Sequence, residues 1–155
     1  MSTKHYDLIA IGGGGGGISV AERAALYGKK CAIIEHGKMG GTCVHVGCVP
    51  KKIMWNAARI AHKLQDAAGY GFNVSYGGLD WKTLVNGRES YIDGITDWYG
   101  TYLGDNNIDD IRGPAKFVDA HTIDVNGTHY TADHIAIATG GYPSVPDNIP
   151  GAELG

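Results

Sequence analysis

The sequence predicts an α/β fold built on a parallel sheet, from three observations. First, residues 6–11 form an apolar run, a glycine run and a stretch of helical spacing follow, and residues 31–35 form a second apolar run. Strand, helix and strand within about 30 residues make a βαβ unit. Second, two longer helical patterns lie between residues 49 and 103. Third, from residue 108 the spacing changes to short strands, with Asn126-Gly127 as a hairpin signal between two of them.

Residues 6–11 (Tyr-Asp-Leu-Ile-Ala-Ile) read as a strand buried on both faces, as parallel-sheet strands are. A helix is expected over 18–27, with Ile18, Ala21 and Ala25 on one face and Gly28 closing it. Residues 31–35 are the second strand, and 40–47 are expected to be loop. A long helix is predicted over 49–68, where Ile53, Ala57, Ile60, Ala61 and Leu64 recur at helical spacing. Residues 69–78 are turn-rich. A third helix over 81–103 is interrupted by Gly87, Gly94 and Gly100, which predicts breaks in it. Strands are expected at 108–111, 115–118, 122–125, 128–131 and 133–138, the middle ones forming a small antiparallel meander. Domain organisation follows: one domain over 1–141 and a linker over 142–155, which holds three prolines and two further glycines.

Composition narrows the function. Thirteen basic and 16 acidic side chains leave a net charge of −3, which gives no electrostatic case for nucleic acid. The apolar runs are short, Leu8 to Ile11 being typical, against the roughly 20 residues of a membrane helix. No signal-peptide pattern precedes the first strand, and three cysteines in such a chain fit a reducing compartment, so a cytoplasmic location is expected. Glycine is the outlier, at 25 of 155 residues against an average of about 7%.

Six of those glycines, at positions 12 to 17, are consecutive. A flexible linker would have that composition, but these sit directly between a strand and a helix. Gly12-x-Gly14-x-x-Gly17 fits the dinucleotide fingerprint, in which one glycine makes the turn, one lets backbone approach a diphosphate and one lets helix and strand pack closely. The helix start offers free N–H groups to the phosphates. Glu35 falls 18 residues past Gly17, at the end of the second strand, where a carboxylate accepts hydrogen bonds from ribose hydroxyls. The pattern does not separate FAD from NAD, but the acid disfavours a ribose 2′-phosphate at this site.

Cys43 and Cys48 occur in Gly41-Thr42-Cys43-Val44-His45-Val46-Gly47-Cys48-Val49-Pro50-Lys51-Lys52. Zinc is disfavoured, because it takes four N/S ligands and there is no second pair. Two readings remain, inert thiols or a disulfide-forming pair. A disulfide needs Cα atoms about 4.4–6.8 Å apart, closer than residues five apart in a regular helix. Pairing therefore demands a distorted first turn, with Gly47 and Pro50 as its agents. Thiols at a helix start beside Lys51 are expected to have lowered pKa values. Cys31, within the second strand, reads as an inert core thiol.

This segment resembles the redox motif of the class I pyridine nucleotide–disulfide oxidoreductases, and Lys51-Lys52 followed by Ile53-Met54-Trp55-Asn56 is most similar to the glutathione reductase branch. The resemblance runs from Tyr6 to Gly141 and matches the N-terminal third of that family. It implies a Rossmann-like FAD-binding domain, incomplete relative to the family, within an NADPH-dependent, homodimeric glutathione-disulfide reductase. Gly12, Gly14, Gly15, Gly16, Gly17 and Thr42 would meet the FAD diphosphate, Glu35 the adenosine ribose and Ala115 the adenine. Thr139 and Gly140 would form a second flavin-proximal turn. The resemblance makes Cys48 the flavin-facing thiol, Cys43 the thiol that exchanges with the substrate disulfide, and Lys51 a neighbour of the flavin ring. Tyr99 and Tyr91 match tyrosines of the glutathione pocket. Electrons would pass from NADPH to FAD, to Cys43–Cys48, to glutathione disulfide.

Two departures bear on substrate. Gly15 stands where the family usually has serine, and Glu22 where some members place an arginine facing a glutathione carboxylate. An acid there would repel that carboxylate and tolerate a cationic substrate, somewhat as in the trypanothione reductases. The alternative to a truncated disulfide reductase is a stand-alone flavin-binding module. None of the seven histidines falls in the family's general-acid motif, and the chain alone is expected not to turn over.

Overall fold

The computed structural model describes residues 3–154. Its elements are β1 (Lys4–Ile11), α1 (Gly15–Leu26), β2 (Cys31–Glu35), α2 (Gly41–His45), α3 (Cys48–Asp66), α4 (Trp81–Asp105), β3 (Ile108–Arg112), β4 (Ala115–Phe117), β5 (Thr122–Val125) and β6 (Thr128–Ile137). A 3₁₀ turn, Ala67–Tyr70, follows α3, and another, Ala152–Leu154, lies in the tail, which otherwise has no regular element.

The strands form one sheet in the order β3-β2-β1-β6-β5-β4. The first three pairings are parallel, and the last two are antiparallel. The α/β architecture with a terminal meander is therefore as the sequence predicts. Both faces of the parallel part are covered. Along β2, Cys31 and Ile33 face a cluster with Ala10, Ile18, Ala21, Met39 and Leu103, whereas Ala32 and Ile34 face one with Tyr6, Ile9, Ile123 and Val125. Helices α1 and α4 supply the first cover and the meander the second. This explains why β2 carries no polar residue before Glu35: period-two alternation has no wet face to address. Each fully buried isoleucine contributes on the order of 1.5–3 kcal/mol through area removed from water.

Three expectations are corrected. The segment 40–47 is not simply loop, since it contains α2, one helical turn whose Val44 is buried. Helix α4 runs unbroken through Gly87, Gly94 and Gly100. Each glycine costs about 1 kcal/mol in a helix, but burial of Ile92 and Leu103 and the Asp80 cap, accepting from Thr83 N–H at 3.2 Å, offset it. The strands expected at 128–131 and 133–138 are one strand, β6, pinned in the middle by buried Ala132. Its first half pairs antiparallel with β5, while most of its length, from Tyr130 to Ile137, pairs parallel with β1.

Candidate cofactor cradle and thiol pair

The C-terminal ends of β1, β2 and β6 converge on the glycine run. Gly12 leaves β1 at φ +111°, with its N–H on the Ile34 carbonyl at 2.8 Å. Gly17 packs so closely on Gly12 that any Cβ there would collide with the Gly12 carbonyl oxygen. This is the helix–strand approach that the fingerprint's third glycine serves. By contrast, a Cβ on Gly15 would meet nothing within 4 Å.

Gly14 is the N-cap of α1 and offers no side-chain cap, so the first-turn N–H groups remain open. They face a cavity of about 380 Å³ whose wall includes Gly14, Gly15, Gly16, Glu35, Thr42 and Cys43, together with Gly12, Gly41, Ala138, Thr139 and Gly140. A smaller cavity of about 60 Å³ shares Gly12, Glu35 and Thr139 with it and extends to Ala115. Most residues that the sequence nominates for cofactor contact thus lie along one groove. Gly17, spent on packing, and Lys51, off the cavity wall, are the exceptions. Uncapped N–H donors, an acid and a cradle free of side chains form a donor set that fits a dinucleotide.

Glu35 has a second task that the sequence does not show. Its Oε2 accepts from Gly13 N–H at 2.6 Å and its Oε1 from Gly37 N–H at 2.6 Å, with the side chain only 11% exposed. Burial pushes this carboxyl up, but the Gly13 and Gly37 donors more than offset it and hold the pKa below the ordinary value. Oε1 also meets His36 Nδ1 at 3.3 Å, so Oε2 keeps the freer lone pair for a ligand hydroxyl.

Of the two thiols, Cys43 sits on the cavity wall. Cys43 lies in α2 and Cys48 begins α3, with Gly47 at φ −129°, ψ −110° between them. The distortion that pairing demands is therefore a break between two helices. Pro50 plays no part in it, because in the first turn of α3 its missing N–H costs no helical bond. Both thiols are exposed. The neighbouring Cys48 thiol holds the Cys43 pKa above the ordinary thiol value, burial adds to the rise, and the Lys52 charge pulls weakly the other way. The expected lowering is thus wrong for Cys43, which lies within α2 and away from the positive end of α3.

Cys43 is on the cavity wall, whereas Cys48 and Lys51 are not. Lys51 is exposed one turn beyond Cys48. The candidate substrate residues also lie elsewhere. Tyr99 packs against the core beside Trp98, and exposed Tyr91 lines a separate groove with Trp98 and Ile95. Glu22, on α1, lies beside the Tyr102 hydroxyl of α4, and its carboxylate raises the phenol's pKa. Sequence reasoning missed Ala138, which lines the cavity as an ordinary strand-end alanine, and Met39, whose buried side chain underlies Gly13. Neither carries a sequence signal. No helix among the described residues is long and apolar enough to cross a membrane.

Comparison with known proteins agrees with this geometry. The family model described as pyridine nucleotide-disulphide oxidoreductase matches residues 6–155. The chain is 42% identical over 161 aligned residues to glutathione reductase of Schizosaccharomyces pombe, covering 99% of this chain and 35% of that protein. It is 40% identical over 153 residues to glutathione reductase of a Nostoc species, covering 99% of this chain and 33% of that one. The chain therefore spans about a third of the length of these relatives. The matched family model, with the glycine cradle and the thiol pair, places this chain in the pyridine nucleotide-disulphide oxidoreductase family.

Proposed function

We propose that these residues form the FAD-binding and redox-disulfide portion of an NADPH-dependent, homodimeric, cytoplasmic reductase of glutathione disulfide. The observation that carries the reading is that Cys43 lies on the wall of the same cavity as the uncapped start of α1 and Glu35.

In this reading the first-turn N–H groups of α1 hold the diphosphate, aided by the Thr42 hydroxyl. Glu35 takes a ribose hydroxyl while fixing Gly13, and Ala115 receives the adenine. Thr139 and Gly140 line the flavin end, toward which Lys51 would reach from the first turn of α3. When bound, FAD supplies two-electron chemistry between a nicotinamide and the thiol pair. As thiolate, Cys43 attacks one sulfur of the substrate disulfide. That S–S bond breaks, a mixed disulfide forms and the departing thiolate takes up a proton. Cys48 then attacks the Cys43 sulfur, the second thiol leaves with a proton, and a Cys43–Cys48 disulfide closes. Two protein thiols are oxidised for one substrate disulfide reduced. Tyr99, Tyr91 and Glu22 enter this reading as candidate substrate-contacting residues on the strength of the resemblance alone, since they lie away from the cavity.

Titration with FAD tests it. Binding quenches flavin fluorescence in the wild-type chain. Gly15→Glu, which adds a charge at a cavity-wall position where a Cβ meets nothing within 4 Å, weakens binding at least tenfold while the far-UV circular dichroism stays native. Equal affinity in the two proteins would refute the cradle assignment.

A further inference from the structure

The five-residue helix α2 is too short to hold itself, since isolated helices under about 12 residues are marginal in water. It carries Cys43, and its position relative to the start of α3 sets the distance between the thiols. Two side chains anchor it. Val44 is buried, and His45, the last residue of α2, bonds through Nε2 to the Met39 carbonyl at 3.0 Å. A carbonyl only accepts, so Nε2 carries the proton. The bond has a continuation: Gly40 N–H donates to the Gly13 carbonyl at 2.8 Å, and Gly13 N–H donates to Glu35. His45 therefore fastens the thiol-bearing turn to the backbone segment that also fastens the glycine cradle.

We infer that His45 is a positioning residue for the Cys43–Cys48 pair, holding α2 against the Met39–Gly40 turn so that the two sulfurs meet. It touches neither reacting sulfur, and it acts through the placement of α2. The inference rests on the reading of these cysteines as a redox pair. Losing the donor lets the end of α2 move and lowers the effective concentration of one thiol toward the other.

The test is the equilibrium of the full 155-residue chain with reduced and oxidised glutathione, followed by alkylation and mass measurement of the peptide containing Cys43 and Cys48. His45→Leu is expected to lower the equilibrium constant for closing the intramolecular disulfide about fivefold, the equivalent of one ~1 kcal/mol hydrogen bond. His45→Gln, which can present a donor near the place of Nε2, is expected to stay within twofold of wild type. A merely structural histidine would lower stability without this split. Leu within twofold of wild type, or Gln as impaired as Leu, would overturn the inference. Should His45→Leu not fold, long-range ¹⁵N–¹H correlation on the wild-type chain decides the matter: an Nε2–H imidazole supports the inference and an Nδ1–H tautomer overturns it. A wild-type pair that never closes defeats the redox reading and this inference together, whereas closure that is indifferent to His45→Leu defeats the inference alone.

Discussion

The glycine run and the thiol segment share one cavity but differ in how they are held. Gly12 and Gly13 are each tied by backbone N–H bonds, to Ile34 and Glu35, and Gly17 leaves no room for a side chain. The segment from Cys43 to Cys48 is exposed at both thiols and anchored by Val44 and His45. A site that binds a fixed ligand gains from preorganised donors, since each group ordered in advance spares entropy on binding. A site that exchanges disulfides must present its sulfur to an incoming molecule, so burial there would defeat it.

Substitutions can break or sharpen this contrast. The largest effect is expected at Gly17, where valine forces a collision with the Gly12 carbonyl. Overpacking against backbone costs about 3 kcal/mol, read as a lower urea midpoint. A Gly17→Val chain as stable as wild type would mean that the close approach is not what holds the cradle.

Glu35→Gln comes next, at about 1.5–3 kcal/mol, because the amide keeps one acceptor for two backbone donors. The pH dependence has a definite sign. The folded carboxyl has a lowered pKa, so its contribution is fully present above the unfolded value of about 4.3 and is lost as pH falls through the folded value. Urea unfolding between pH 7 and pH 3 should show a steeper loss in wild type than in Glu35→Gln. Parallel profiles would remove Glu35 as the cradle's electrostatic anchor.

Cys43→Ser is expected to have the smallest effect on folding, within about 0.5 kcal/mol, as for exposed sites generally. The same change abolishes the intramolecular disulfide, seen as a reactive Cys48 after oxidation. A large stability loss would show that the thiol segment is as tightly built as the cradle.

Much of the fold is legible in the residues. The βαβ unit shows because β1 and β2 are short apolar runs flanking glycines, a local pattern that needs no partner to be recognised. The unbroken α4 is not legible, because three glycines argue locally for breaks and only the packing of Ile92 and Leu103 overrides them. The continuity of β6 is hidden in the same way, since its middle is pinned through pairing with strands distant in sequence.

Within the site, the sequence by itself determined which residue types are present: a glycine run between a strand and a helix, an acid at the end of β2, and two thiols beside lysines. These are properties of residue type and spacing. Only the tertiary structure decided which groups are engaged and which are free. It gave Glu35 a backbone to hold, placed Cys43 on the cavity wall and bound His45 to Met39. Each of these is a hydrogen bond or close approach between segments whose meeting depends on the sheet order and on how α1, α2 and α4 pack against it.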